Sequence, residues 1–511
     1  MNIAIVHYHL NRGGVTRVVA NQILSLESAL AGHDEVRVAI LYGGRAHGWP
    51  DNFEDQLKSV RLQLVPLPGL DYDEEPTADP DSLAANVMAQ LRHLDFAPDD
   101  TVLHVHNHSL GKNVSLPGAL SLLAENGYAQ LLQIHDFAED FRAENFRRLV
   151  RGVGPDCLAA TLYPQAPSIH YALLNRRDHA VLERAGVRSS RLHFLPNPVQ
   201  QFDRLPSRAS ARSKLQASFG VPPGDPYLLY PVRGIRRKNL GEFLLWSVLA
   251  DEPTALGITL APLNPAEQTR YRHWKDVAAE CRLRCHFETG AEGGLTFAEN
   301  MAAADRILTT SVAEGFGMVY LEAWLAERGL AGRNLPEVTT DFVDAGLELD
   351  RLYDRLNIPL EWVGHDAFRC MLADVCRDIL NAYGREVPSR QQLDQILAAK
   401  QTDGLVDFAD LDEPLQEHVI RKAAGNGMFR DELLELNPLL RSSSQVDAET
   451  IARNKQVIEN TYAIEPSGRR LLDIFRALLT ADRSEPVSSL THGTGILDSF
   501  LAMTRVRPIR G

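Results

Sequence analysis

Apolar and polar positions alternate along the chain in a repeating order. "MNIAIVHYHL" is a short apolar run that ends in polar residues. "NRGGVTRVVANQILSLESAL" follows, a Gly pair and then apolar residues at helical spacing, and "EVRVAILYGG" is a second apolar run. Strand, glycine turn, helix, strand is the opening of a parallel α/β domain. "DDTVLHVHNH" and "AQLLQIHDF" predict two further strands, each ending in a histidine-containing loop. "RLHFLPNPV" predicts another, closed by a Pro-Asn-Pro turn.

A second series begins after that turn. "PYLLYPVRG", "LGITLAPLN", "LRCHFETG" and "DRILTTSV" predict strands with helices between them, the first helix being "NLGEFLLWSVLA". The expected fold class is α/β, two Rossmann-like doubly wound domains facing a central cleft. The expected bounds are 1–199 for an N-terminal domain, 200–480 for a C-terminal domain and 481–511 for a weakly patterned tail. "QQFDRLPSRASARSK" reads as linker and helix start. The stretch 340–403 predicts a mostly helical insertion in the C-terminal half, too apolar to stay disordered. "IARNKQVIENTYAIEPSGRRLLDIFRALL" predicts two closing helices.

At 511 residues the chain is too long for one core. Its net charge is -14, and no block of Lys and Arg exceeds three. This argues against nucleic acid or an anionic membrane as the main partner. The N-terminus lacks a charged leader and no run approaches 18 apolar residues, so neither a signal peptide nor a membrane span is expected. Cys157, Cys281, Cys285, Cys370 and Cys376 lack zinc-site spacing, which predicts free thiols in a cytoplasmic protein. Nothing in the pattern fixes an oligomeric state.

Doubly wound domains bind ligands just beyond the carboxyl ends of their strands, and polar and glycine-rich residues collect there in both halves. Gly13 and Gly14 lie between the first strand and first helix. A helix start offers N–H groups and a positive dipole to an anion, and glycines permit close approach. The pattern is not G-x-G-x-x-G, and a tight strand–helix turn explains it equally well. "VRGIRRKN" sets Arg233, Arg236, Arg237 and Lys238 at a strand end, suited to a diphosphate or to a solvated basic face.

"TTSVAEGFGMVYLEAW" carries two carboxylates, Glu314 and Glu322. Glu314 follows a strand. Gly315 and Phe316 lead to a helix expected to begin near Gly317, whose first N–H groups, from Gly317, Met318 and Val319, would face an anion. A carboxylate beside a phosphate repels it unless it faces hydroxyls, which it accepts from strongly. Hydroxyls, phosphates, then more hydroxyls is the layout of a nucleoside diphosphate sugar. In "LHVHNHSLG", His104, His106 and His108 alternate. They allow three readings: a metal site, an ordinary strand end, or acceptor contact by His108 or by Lys112 and Asn113.

"EGFGMVYLEA" resembles the E-x(7)-E motif of retaining glycosyltransferases of the GT-B fold, family four. "RGGV", "LHVHNH", "QIHDF", "LPNPV", "VRGIRRKN" and "GLVDFADLDEPLQEHV" are similar to further segments of that family, in its order. The resemblance covers roughly residues 1–340 and 404–480. It implies an acceptor-side N-terminal domain and a donor-binding C-terminal domain. It implies that Glu314 holds the donor sugar, Glu322 the ribose, and Arg233 and Lys238 the diphosphate. Gly13 and Gly14 would pack against the donor, the amides of residues 315–319 would contact it, and His135 would lie near sugar and acceptor. No cofactor and no metal is implied. "LPEV" offers Glu337 as a counterpart of a late family glutamate, although the segment before it is shorter than in the family.

The expected activity is retaining transfer of a hexose to a hydroxyl of a small acceptor: a sugar, a polyol or a glycosylglycerate-like compatible-solute precursor. Lys112 and the arginines of "DFRAENFRRL" suit an acidic one. The alternatives are a GT-B sugar-nucleotide epimerase and a non-catalytic nucleotide-sugar binding protein.

Overall fold

The computed structural model describes residues 1–30, 35–202, 204–441, 446–490 and 492–510. Asp203 of the expected linker, residues 442–445 of the expected C-terminal domain, and residues 491 and 511 of the expected tail lie outside the described residues. The chain divides into two units, Met1–Gln200 with Asn460–Ala502, and Gln201–Glu459 with Met503–Gly511.

The first unit is built on seven parallel strands: β1 (Asn2–His7), β2 (Val36–Tyr42), β3 (Val60–Pro66), β4 (Thr101–His106), β5 (Ala129–Ile134), β6 (Ile169–Leu173) and β7 (Leu192–Phe194). Their order is β3-β2-β1-β4-β5-β6-β7. Every residue of β1, β4 and β5 is buried, as both faces of a parallel sheet require. The helix Gly14–Leu30 packs its Val19, Ile23 and Leu26 into a core that Leu471, Leu472, Phe475 and Leu478 of the helix Ile464–Leu479 complete. The two helices approach so closely that a Cβ on Gly468 would sit 1.9 Å from the Ser25 carbonyl oxygen. This corrects the expected 200–480 domain, because the last closing helix belongs to the first unit. Its apolar stripe is plain in the sequence, but a stripe does not say which domain it covers.

The second unit holds six parallel strands: β8 (Tyr227–Arg233), β9 (Ala255–Leu260), β10 (Cys285–His286), β11 (Arg306–Thr309), β12 (Gly329–Arg333) and β13 (Leu352–Tyr353), in the order β10-β9-β8-β11-β12-β13. The expected insertion over 340–403 is therefore partly sheet. Residues 352–353 form the parallel edge strand β13, and the short strand β14 (Asn357–Pro359) pairs antiparallel with β16 (Leu405–Asp407), which also pairs with β15 (Gln401–Thr402). The helical part runs through Leu360–Val363, His365–Ala382 and Arg390–Lys400. The expected tail is split as well. The helix Gly495–Phe500 stays in the first unit, with the Phe500 ring 4.7 Å from Phe137, and Met503 onward belongs to the second.

A buried ion cluster locks β12 to its surroundings. Arg333, fully buried, donates to Glu242 at 2.6 Å and to Asp407 at 2.8 Å. Glu242 also accepts from the Tyr353 hydroxyl at 2.7 Å, which in turn accepts from Trp246 Nε1 at 2.8 Å. Removing Glu242 halves the anionic charge around Arg333 and leaves its buried Nε and the Tyr353 hydroxyl without an acceptor. Glu242→Ala is expected to destabilise the second unit by about 3–5 kcal/mol, seen as a lower urea midpoint. A midpoint within error of the parent would mean that water solvates Arg333.

Candidate functional site

In the second unit the strand order reverses between β8 and β11, the place where doubly wound sheets bind ligands. The loop after β8 carries the turn Arg236–Lys238, and the loop after β11 carries Glu314. The two loops are stitched together: the Val312 N–H donates to the Arg237 carbonyl at 2.9 Å, and the Thr310 hydroxyl to that of Lys238 at 2.8 Å. The Glu314 carboxylate accepts from the Lys238 ammonium, from Arg237 Nη1 at 3.0 Å and from the Ser311 hydroxyl at 2.6 Å. Ser311 is hydrogen-bonded to the Tyr230 hydroxyl at 2.6 Å. Burial alone would raise the Glu314 pKa, but the Lys238 and Arg237 charges overcome it and hold the carboxyl below its usual range. Glu314 is therefore an ionised group in a fixed position.

Lys238, expected on a diphosphate, also lies on Glu314. Arg233 donates to the Ala261 carbonyl at 2.6 Å, while Arg237, outside the Arg-x(4)-Lys spacing, bridges Glu314 and the Ala313 carbonyl. The signal for Arg237 was the basic cluster itself; the spacing drew attention to its two ends.

The helix after this loop is Val319–Leu325, starting two residues later than expected. Gly317 takes φ +82°, and a Cβ there would lie 2.7 Å from the Tyr320 ring, so glycine is required for the turn. Met318 and Val319 open the helix and supply first-turn N–H groups. Gly315 is partly exposed beside Glu314. The Phe316 side chain is buried edge-on against Phe342, ring centroids 5.4 Å apart, so only its backbone is left for a ligand. Glu322, buried, sits one turn into the helix, its N–H donating to the Met318 carbonyl at 2.9 Å. Glu337 pairs with Arg505 at 2.5 Å and Arg510 at 3.3 Å, and Ile509 packs against Val312 and Ala409. The residues beyond Ala502 thus brace the loop that carries Glu314, a support that the weak tail pattern did not announce.

In the first unit the order reverses between β1 and β4. Gly13 and Gly14 are exposed at the start of the helix Gly14–Leu30; a Cβ on Gly14 would meet nothing within 4 Å and neither glycine has positive φ. The chain's own packing does not demand glycine there, which leaves room for a ligand to approach. His135 follows β5. Its ring Nε2 is 2.9 Å from His106 Nδ1, with the two rings stacked at 5.2 Å. Its backbone N–H donates to Asn107 Oδ1 at 2.7 Å, so Asn107, unremarked in the sequence, fixes its place. Burial lowers the His135 pKa to about 4, which keeps the imidazole neutral.

The three alternating histidines do not converge. His104 bonds Gln133 Oε1 at 2.9 Å and His106 bonds His135. Asn107 then takes φ +59° and breaks the alternation, so buried His108 turns its Nε2 to the Leu162 carbonyl at 2.8 Å. His108 is no acceptor contact. Nor is Asn113, whose buried amide donates to the Gly69 and Asp71 carbonyls, both at 2.9 Å. Lys112 remains accessible, its ammonium 5.2 Å from the centre of the Tyr72 ring.

No protein-family model matches the chain. It is 27% identical over 428 residues to the mannosylglucosyl-3-phosphoglycerate synthase of Petrotoga mobilis, a match covering 81% of this chain and 80% of that protein. Among solved structures it is similar to the sucrose-phosphate synthase of Thermosynechococcus elongatus, with TM-score 0.53, 14% identity and 94% and 99% of the two chains covered. It is also similar to Anabaena HepE in complex with UDP-glucose, with TM-score 0.51, 12% identity and 93% and 100% coverage. The chain thus has the GT-B fold of the nucleotide-sugar glycosyltransferases and is similar in sequence to a sugar-phosphoglycerate synthase.

Proposed function

We propose that this chain is a retaining glycosyltransferase that moves a hexose from a nucleoside diphosphate sugar to a hydroxyl of a small acceptor. The observation that carries the reading is the Glu314 carboxylate, held ionised against Lys238 and Arg237 at the strand-order switch, with Glu322 in the helix that follows. The relative's name, mannosylglucosyl-3-phosphoglycerate synthase, supports an acceptor of the glycosylglycerate kind.

In this reading the leaving group is a nucleoside diphosphate, and negative charge grows on its β-phosphate as the sugar becomes oxocarbenium-like. Arg233, Arg237, Lys238 and the first-turn N–H groups of Met318 and Val319 stabilise that charge without reorganising. Glu314 holds sugar hydroxyls and keeps Lys238 in place; Glu322 takes the ribose. The acceptor hydroxyl attacks from the face of the departing phosphate, which receives its proton, and configuration at the anomeric carbon is kept. Neutral His135 offers a hydrogen bond to sugar or acceptor. No cofactor or metal takes part in this scheme.

Arg233→Ala and Lys238→Ala are each expected to weaken nucleoside diphosphate binding in calorimetry, with marked non-additivity in the double variant because both act on one ligand. Unchanged affinity in both single variants would return them to an ordinary basic surface. Release of nucleoside diphosphate only on addition of acceptor separates transfer from epimerisation and from silent binding.

A further inference from the structure

Beside the β1 end, four cations gather in the first unit: Arg45, Lys112, Arg142 and Arg148. Three are engaged. Arg45 forms a two-pronged pair with Asp71, with Nε–Oδ2 at 2.6 Å. Arg142 pairs with Asp136, and Arg148 donates to the Asp73 carbonyl at 2.6 Å. The Asp73 carboxylate is itself taken by the Val114 N–H at 2.6 Å. Among the described residues Lys112 forms no ion pair and its ammonium no hydrogen bond; its contact is with the Tyr72 ring.

Tyr72 is the pivot. Its ring, 39% exposed, carries the Arg45 guanidinium and the Lys112 ammonium, each 5.2 Å from the centroid, and its hydroxyl is 3.1 Å from His9 Nε2. Asp71 neutralises the Arg45 charge, so among the described residues the charge on this ring that lacks a paired carboxylate is that of Lys112. Lys112 is half-buried; desolvation lowers its pKa against the pull of Glu144, and the arginines at 142 and 148 add to the lowering. A bound anion would favour the charged ammonium against this desolvation.

We propose that Lys112, Arg45, Tyr72 and His9 form a subsite for an anionic group, a phosphate monoester or a carboxylate, on the acceptor. For its role in transfer the subsite rests on the function proposed above; its existence as an anion site does not. Lys112 supplies the point charge, Arg45, fixed by Asp71 through Nε and Nη2, its remaining Nη1 N–H groups, and the Tyr72 hydroxyl with His9 a neutral hydrogen-bonding edge.

The test titrates the full chain with phosphoglycerate, glycerol phosphate, glycerate and glycerol, in parallel with UDP, GDP and ADP. The anionic probes are expected to bind, more weakly at high salt, and glycerol not to bind. Lys112→Gln should weaken anion binding at least about tenfold with nucleoside diphosphate affinity unchanged, while Lys112→Arg retains most of it. Binding of glycerol phosphate but not glycerate assigns the subsite to phosphate, and the reverse to carboxylate; either supports the proposal. Equal affinity of the parent and Lys112→Gln for every anion, or no anion binding at all, overturns it. Anion binding with no nucleoside diphosphate binding would sink the donor reading instead and leave the anion site standing.

Discussion

Glu314→Gln is expected to lower turnover by about 10²–10³-fold while far-ultraviolet circular dichroism stays close to the parent's. The substitution keeps the shape of the side chain and, with the amide oxygen at the Oε1 position, the hydrogen bond from Ser311; it removes the charge and the oxygen that accepts from Arg237. That charge has two partners, Lys238 and Arg237. Freed of it, both cations are more available to a diphosphate, so donor affinity should hold or rise as kcat falls. A fall in kcat without a rise in KM marks an interaction made mainly in the transition state. The assay follows nucleoside diphosphate release with whichever UDP-, GDP- or ADP-sugar first stabilises the chain thermally. Parent-like turnover in the variant would remove Glu314 from the reaction.

The second large effect concerns pH. The first unit is expected to lose stability steeply between pH 6.5 and about 4. Burial keeps four of its imidazoles neutral: His7 and His104 to about pH 3, His108 and His135 to about pH 4. Below pH 6.5 the unfolded chain binds a proton at each histidine that the folded chain refuses, so stability falls as pH falls. Each costs about 1.4 kcal/mol per pH unit, and four together remove an amount comparable with a domain's whole net stability, about 5–15 kcal/mol. Glu139 works against them. Its buried carboxyl titrates at about 7, so its contribution favours the folded state at low pH and is lost as pH rises from its ordinary value through 7. Asp73 and Asp178, also raised by burial, act with Glu139, while His106, His170 and His193, also lowered by burial, act with the four. Urea midpoints at pH 7.5 and pH 5 measure the slope, and His104→Gln should make it shallower by about 1.4 kcal/mol per unit. A flat profile would show these rings protonating inside the fold.

The local alphabet of the fold was legible because each strand of the two series is apolar and each is closed by polar or glycine-rich residues. β3 escaped notice because exposed residues alternate through it. The candidate site was legible as two separate motifs, "VRGIRRKN" and "EGFGMVYLEA", since both follow strands. Their junction was not. Lys238 and Glu314 are 76 residues apart, and only the placement of β8 beside β11 brings them into contact. His106 and His135 meet for the same reason, across the pairing of β4 with β5. Polar residues such as His108 and Asn113 mislead when read alone, because nothing local in a sequence distinguishes a residue that greets a ligand from one that satisfies a buried carbonyl.

The return of the helix Ile464–Leu479 to the first unit has a consequence for biosynthesis. When residue 200 leaves the ribosome, all seven strands of the first sheet have been made, but the helix Gly14–Leu30 still lacks its cover. About 260 further residues must be translated first, which at bacterial or eukaryotic speeds takes roughly 10–50 s. During that interval Val19, Ile23, Leu26 and their neighbours form an uncovered apolar strip on a nascent chain, and the second unit likewise awaits Arg505 and Ile509. Translation arrested before residue 464 should therefore leave a chaperone-bound, protease-sensitive intermediate rather than a finished N-terminal domain.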